Sequence, residues 1–229
     1  VVRTCVFWIA LLCATVAAEE LLTPGEEVLR ALESAAEGSR EQIALLREAT
    51  ELYRYPATAA EAEALFAAAG KATRSKNPEV RLAAVRAISS MGGAKAAAII
   101  EPFLRETAPS PEERPALLTA IQAAGRLHAP TLIPSLLALA KSGKDPTIAD
   151  QALLALGQFH KLPVRERKAL VEKVLALTKS MSRNRRKWNR MRAPGLRCLQ
   201  MLTGHKLNSV DLFAEWWKVA KDQKNPFGG

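Results

Sequence analysis

The stretch NPEVRLAAVRAISSMGG, residues 77 to 93, decides the fold. Asn77 has a side-chain oxygen suited to capping a helix, and Pro78 has the fixed φ that a first helical position accepts. Val80, Ala83, Ala84, Ala87, Ile88 and Met91 then recur at a period near 3.6, which places them on one stripe and predicts that the stripe is buried. Gly92 and Gly93 end this helix, and Ala98, Ile99, Ile100, Phe103 and Leu104 begin a second apolar helix. The expected unit is a helical hairpin.

The unit returns downstream with a slip of 33 residues, which pairs Pro78 with Pro111, Val85 with Leu118, Ile88 with Ile121 and Gly92 with Gly125. Ile99 and Ile100 correspond to Leu132 and Ile133, and Pro102 to Pro134 one residue out of step, both prolines read as first-turn residues. A third copy opens at Asp145-Pro146, with a stripe of Ile148, Ala152, Ala155, Leu156 and Phe159 and a pairing helix carrying Leu170, Val171, Val174, Leu175 and Thr178. Upstream, Thr23 with Glu26, Ser39 with Gln42, and Thr58 with Glu61 are spaced as capping boxes and predict three more helix starts. Helix pairs that repeat every 33 to 38 residues cannot each bury an apolar face alone, so they predict an all-α solenoid in which neighbours share one core.

NPEVRLAAVRAISSMG and its echo DPTIADQALLALGQF resemble HEAT repeats, in residues Asn77, Pro78, Val80, Arg81, Ala84, Ala87 and Ile88, and again in Asp145, Pro146, Ala155, Leu156 and Gly157. The arginine is missing from the third copy, and Arg114-Pro115 falls in the middle copy where a first turn should already be settled. The resemblance implies an armadillo-type superhelix of four or five helical pairs that serves as a binding scaffold. Asn77 and Asp145 read as helix caps, and Arg81 as a contact to a neighbouring loop or acid within the stack.

Composition agrees with this class. The chain of 229 residues is 48% hydrophobic and 24% charged, enough to bury a sizeable core, and it has no long alternating run that would make a strand. The expected division is a signal peptide at 1–18, a capping hairpin at 19–56, HEAT-like repeats at 57–181, a basic linker with a tryptophan-rich cap at 182–224, and a disordered tail at 225–229. Residues 1–18 have Arg3, an apolar run from Cys5 and small residues at Val16, Ala17 and Ala18, the pattern of a cleavable secretory signal. The run is shorter than the roughly 20 residues that span a bilayer. Export to a periplasmic or extracellular location is therefore expected, with no stable membrane insertion after cleavage. Cys198 would then be the sole thiol of the mature chain, placed in an apolar run as a small buried hydrophobe.

Charge is divided unevenly. Residues 19–159 hold 15 Lys plus Arg against 18 Asp plus Glu, whereas residues 160–229 hold 17 against 5, so the basic character belongs to one end. Within that end, residues 183–192 read RNRRKWNRMR, six cations without an acid. Arg183, Arg185, Arg186, Lys187, Arg190 and Arg192 are candidate ligands for an anion, since guanidinium groups hold carboxylate or phosphate bidentately, and Trp188 falls on a packing face with Met181 and Met191. Leu202-Thr203-Gly204, a short linker, and Trp216-Trp217 before a basic tail resemble a module that closes exported bacterial HEAT-repeat proteins. Trp216 and Trp217 read either as a cap over the last repeat or as an aromatic patch for a partner.

His128, His160 and His205 are not spaced with one another, with cysteine or with acid pairs as metal ligands would be, and no CxxC, phosphate-binding glycine loop or nucleophile elbow is present. The expectation is a protein with no catalytic residues, no cofactor and no metal. Its partner is expected to be a protein with an acidic surface. The alternative is a polyanion, namely acidic polysaccharide, anionic lipid headgroups or nucleic acid, bound through residues 183–192.

Overall fold

The computed structural model describes residues 22–108, 110–142, 145–182 and 185–227, with the side chains of residues 185–188 and 190 also outside the description. The expected signal segment, residues 1–18, lies outside the described residues. Eleven α-helices follow in order: α1 (Pro24–Ser34), α2 (Arg40–Leu52), α3 (Ala59–Ala72), α4 (Pro78–Met91), α5 (Gly93–Glu106), α6 (Arg114–Leu127), α7 (Ile133–Ser142), α8 (Pro146–Gly157), α9 (Val164–Ser182), α10 (Arg185–Thr203) and α11 (Val210–Ala220). Short 3-10 turns, Pro130–Leu132 and Gln158–Lys161, precede α7 and follow α8. Among the described residues there is no strand.

Local chemistry sets the helix starts. Thr23 and Glu26 form a reciprocal capping box on α1, and Thr58 and Glu61 form one on α3. Ser39 accepts from the Gln42 N–H at the start of α2, while the Gln42 side chain accepts from the Gly38 N–H. Asn77 accepts from the Glu79 N–H, and Asp145 from the Thr147 and Ile148 N–H groups. These sites agree with the sequence reading. In the middle copy the start falls later than expected: α6 begins at Arg114, and Pro115 occupies its first turn. Pro102 is likewise inside α5, because that helix already starts at Gly93.

The helices form a two-layered, solenoid-like stack. The even-numbered helices α2, α4, α6, α8 and α10 lie side by side in chain order, and each packs on the odd-numbered helix just before it. The odd layer is looser, with α1 against α3, α5 against α7 and α9 against α11. This shifts the pairing expected from the sequence. α4 packs more extensively on α3 than on α5, and α9 pairs with α10 instead of α8. At the first of these places the reason is the connection. Gly92 and Gly93 have φ of +71° and +78°, and no loop residue separates them from α5, so the chain turns a corner without the room that a side-by-side hairpin needs.

The 33-residue slip survives in the packing even where the helix start moved. Ala83 and Ala116, Ala84 and Leu117, Ala87 and Ala120, and Ile88 and Ile121 are all buried. Gly125, however, does not end its helix as Gly92 does. It sits inside α6, where a Cβ would lie 3.2 Å from the Ala155 backbone of α8, and His128 closes the helix at φ +52°. Small residues at these positions let the even helices approach closely, and the result is one buried apolar seam running from Leu46 to Phe227.

Polar ties link successive units across the seam. Arg81 makes a bidentate ion pair with Glu113 and also donates to the Ser75 carbonyl. Arg114, 33 residues later, pairs with Asp145 at 2.9 Å and donates to Thr147 at 2.7 Å. The Arg114 that looked out of place in the sequence is therefore the repeat of Arg81. Asn77 reaches back as well, donating through Nδ2 to the Gly38 carbonyl at 3.0 Å.

Glu61 is the tightest of these ties. It is 7% exposed, accepts from the Thr23 hydroxyl at 3.1 Å and the Ala57 N–H at 2.5 Å, and packs so closely on Gly25 that any Cβ there would overlap its carboxylate. Burial alone would raise its pKa, but the donors from Ala57, Thr23, Thr58 and Gly25 together hold it below the usual 4.5. A carboxyl lowered in the folded state stabilises above its unfolded pKa, and that stability is lost as pH falls through the folded value. Glu61→Gln should therefore lower the urea midpoint at neutral pH, with the gap to wild type closing as acid titrates the native carboxyl. A gap unchanged between pH 7 and pH 2 would contradict this role.

Candidate interaction surface

The basic end of the stack is built from α9, α10, α11 and the segment that follows. Its inward stripe on α10 contains Met191, Gly195, Cys198, Leu199 and Leu202, all buried. Gly195 admits the Thr178 methyl of α9, whose position leaves no room for a Cβ. Burial pushes the Cys198 thiol far above its ordinary pKa, so it is an inert packing residue. Leu202 and Thr203 are buried, and Gly204 turns the chain at φ +76°. The loop to α11 is held by the Gln200 side chain donating to the Leu207 carbonyl at 3.0 Å, and Ser209 caps the helix through the Leu212 N–H.

Phe213 is fully buried and Trp217 is 6% exposed, so α11 shields the apolar end of the last pair. Trp216 is half-buried and lies 4.5 Å from the His205 ring. Trp217 is thus placed in the core, and Trp216 is the one of the pair that reaches the surface. The segment after α11 departs from the expected disordered tail at 225–229. Pro226 and Phe227 are buried, and Phe227 stacks on Trp217 with centroids 6.2 Å apart and planes at 25°. Residues 228 and 229 lie outside the description. Three more groups hold the segment: the Arg167 guanidinium 3.6 Å above the Phe227 ring, Lys168 donating to the Lys221 and Gln223 carbonyls, and His205 within 3.4 Å of the Pro226 carbonyl. Sequence reading missed Arg167, Lys168, His205 and Phe227; an apolar Pro-Phe pair after five polar residues was the available signal.

Arg183 lies outside the described residues. Arg185, Arg186, Lys187, Trp188 and Arg190 belong to the first turns of α10, and their side chains lie outside the description. Arg192 is exposed, as are Arg165, Lys173, Lys179 and Arg197 on the same end of the stack. Electrostatic use differs along the chain. Upstream, Arg81, Lys95 and Arg114 are each paired with an acid of the neighbouring unit. Downstream of His160, among the described residues, the ion pair formed is the local one between Lys218 and Glu215.

Grooves open between the splayed odd helices. One of about 740 Å³ separates α1 from α3 and is lined by Leu29, Leu32, Ala64 and Ala68. Another, of about 510 Å³, separates α3 from α5 over Gly70, Ile99 and Phe103. Lys71 and Arg74 stand on the ridge between the two. Among the described residues no cluster of His, Cys, Asp and Glu is arranged to hold a metal, and no helix is long and apolar enough to cross a membrane.

No protein-family model matches the chain. No curated protein matches it either. Among solved structures, the crystal structure of an engineered protein is similar in fold, with a TM-score of 0.53 and 20% sequence identity over 79% of this chain and 80% of that one. At that identity the likeness concerns the arrangement of the helices alone.

Proposed function

We propose that the chain is an exported, non-catalytic scaffold of HEAT-like repeats whose basic end binds the acidic surface of a partner protein. The observation that carries this reading is the uneven use of charge. In the first units Arg81, Lys95 and Arg114 are joined to acids of neighbouring units and acids offset the remaining cations, whereas the exposed cations on α9 and α10 add a strong positive field to an end whose packing is apolar. Such a field steers an oppositely charged partner and selects against like-charged ones. The looser odd layer supports the same reading, since its grooves offer apolar ridges beside Lys71 and Arg74. Export rests on the pattern of residues 1–18.

The test is capture of envelope-fraction proteins by wild type and by a variant with Arg183, Arg185, Arg186 and Arg190 changed to Glu. Wild type should retain a partner that the variant loses, and retention should fall as salt rises. If both capture the same proteins, the basic end is not the interaction surface. Retention of nucleic acid or anionic polysaccharide in place of protein would favour the polyanion alternative, whose affinity drops steeply with salt.

A further inference from the structure

The segment 221–227 is held in the way a bound peptide is held. None of its residues is helical, and residues 221–225 are exposed, yet Phe227 is 3% exposed. Its backbone carbonyls are recognised by side chains of other elements: Lys168 on α9 takes those of Lys221 and Gln223, and His205 approaches that of Pro226. Its ring lies against both the Arg167 guanidinium and the Trp217 indole. Lysine and histidine on carbonyls read a backbone whatever its sequence, while the guanidinium and the indole select a flat ring.

Among the described residues, one donor each of Arg167 and Trp217 is left without a partner. The Trp217 Nε1–H and the Arg167 Nε–H are both buried and make no hydrogen bond, although the Arg167 terminal nitrogen donates to the His160 carbonyl. Buried N–H groups are almost always paired in folded proteins, and each unpaired one weighs against the state that contains it. The segment therefore engages the ring-binding groups together with Lys168 and His205, and leaves the Arg167 Nε–H and Trp217 Nε1–H open.

We infer that Arg167, Lys168, His205 and Trp217 form a recognition pocket for a peptide carrying a proline-aromatic pair with a carboxylate beside it, and that residues 221–227 occupy it in cis. The carboxylate would pair with the Arg167 guanidinium, whose Nε–H the segment leaves open. This deepens the scaffold reading by naming the chemistry of the partner's docking segment. The attached segment competes at a high effective concentration, so a free peptide meets a pocket that is mostly closed.

A protease site placed within the exposed residues 222–224 lets the intact chain fold before the connection is cut. Two labelled probes are then titrated by fluorescence anisotropy, Asn-Pro-Phe-Gly-Gly and Asn-Pro-Phe-Asp-Asp. The cut protein should bind both saturably and prefer the acidic probe. The uncut protein should bind each at least ~10-fold more weakly, as expected when the open state is a minor one. Arg167→Ala, cut in the same way, should lose the preference for the acidic probe, and Arg167→Lys should keep part of it. The proposal is overturned if the cut protein keeps its helical circular dichroism but binds neither probe, if cut and uncut proteins bind equally, or if Arg167→Ala retains the preference. Unfolding on cutting also overturns it, because the segment would then be a structural member. No partner enters this titration, so its failure is separable from a failed capture of envelope proteins.

Discussion

Phe213→Ala is expected to lower the unfolding free energy by about 3–5 kcal/mol, the range for removing a fully buried aromatic ring from a core that cannot collapse around the gap. Phe213 has no exposed surface, and α11 packs chiefly on α9. Detachment at an end of a stack need not wait for the rest, because stability in a solenoid is a sum of nearest-neighbour terms. Urea titrations should therefore show tryptophan fluorescence changing at a lower midpoint than the helical circular dichroism. Ile88→Ala, at the centre of the seam, should instead shift both signals together by about 2–5 kcal/mol. Coincident transitions for Phe213→Ala, displaced by under about 1 kcal/mol, would show that α11 is not the cap its burial indicates.

Arg81→Ala should cost about 2–4 kcal/mol, at the lower side of values for breaking a buried ion pair. The Arg81 and Glu113 side chains are only 17% and 15% exposed, so removing the guanidinium leaves a poorly solvated carboxylate and an orphaned Ser75 carbonyl. Arg114→Ala removes the equivalent cation one unit later and should cost no more than about 1 kcal/mol, since Arg114 is 45% exposed and water replaces what is lost. The comparison isolates burial, because both arginines link neighbouring units. Adding Glu113→Ala to Arg81→Ala should recover part of the loss, and a double-mutant cycle on urea midpoints measures how much. Equal costs at the two sites, or strict additivity of the pair, would remove Arg81 from the ties that hold the stack.

The amino-acid pattern alone determined that this chain is all-α and stacked. Stripes with a 3.6 period, recurring every 33 to 38 residues, have one economical burial solution, and caps such as Thr23, Thr58, Asn77 and Asp145 act within their own turn. The 33-residue slip of Ala84 onto Leu117 and Ile88 onto Ile121 was legible for the same reason, since both members of each pair face the same seam. The concentration of cations after residue 160 was also legible, because charge adds along a chain without reference to its fold.

Pairing and the site were decided in three dimensions. Whether α4 lies along α3 or α5 depends on how far the Gly92-Gly93 corner lets the chain swing back, and no periodicity encodes that. Gly92 and Gly125 occupy equivalent places in the repeat, yet one turns the backbone and the other admits a neighbouring helix. Arg114 became the partner of Asp145 only when stacking brought the next cap within reach. The same holds for Phe227, which with Pro226 follows five polar residues and is buried because α9 presents Arg167 and α11 presents Trp217 at one place. Local signals act over a few residues and survive in sequence; contacts between residues 60 apart exist only after the layers have packed, and the Arg167-Phe227 clamp is of that second kind.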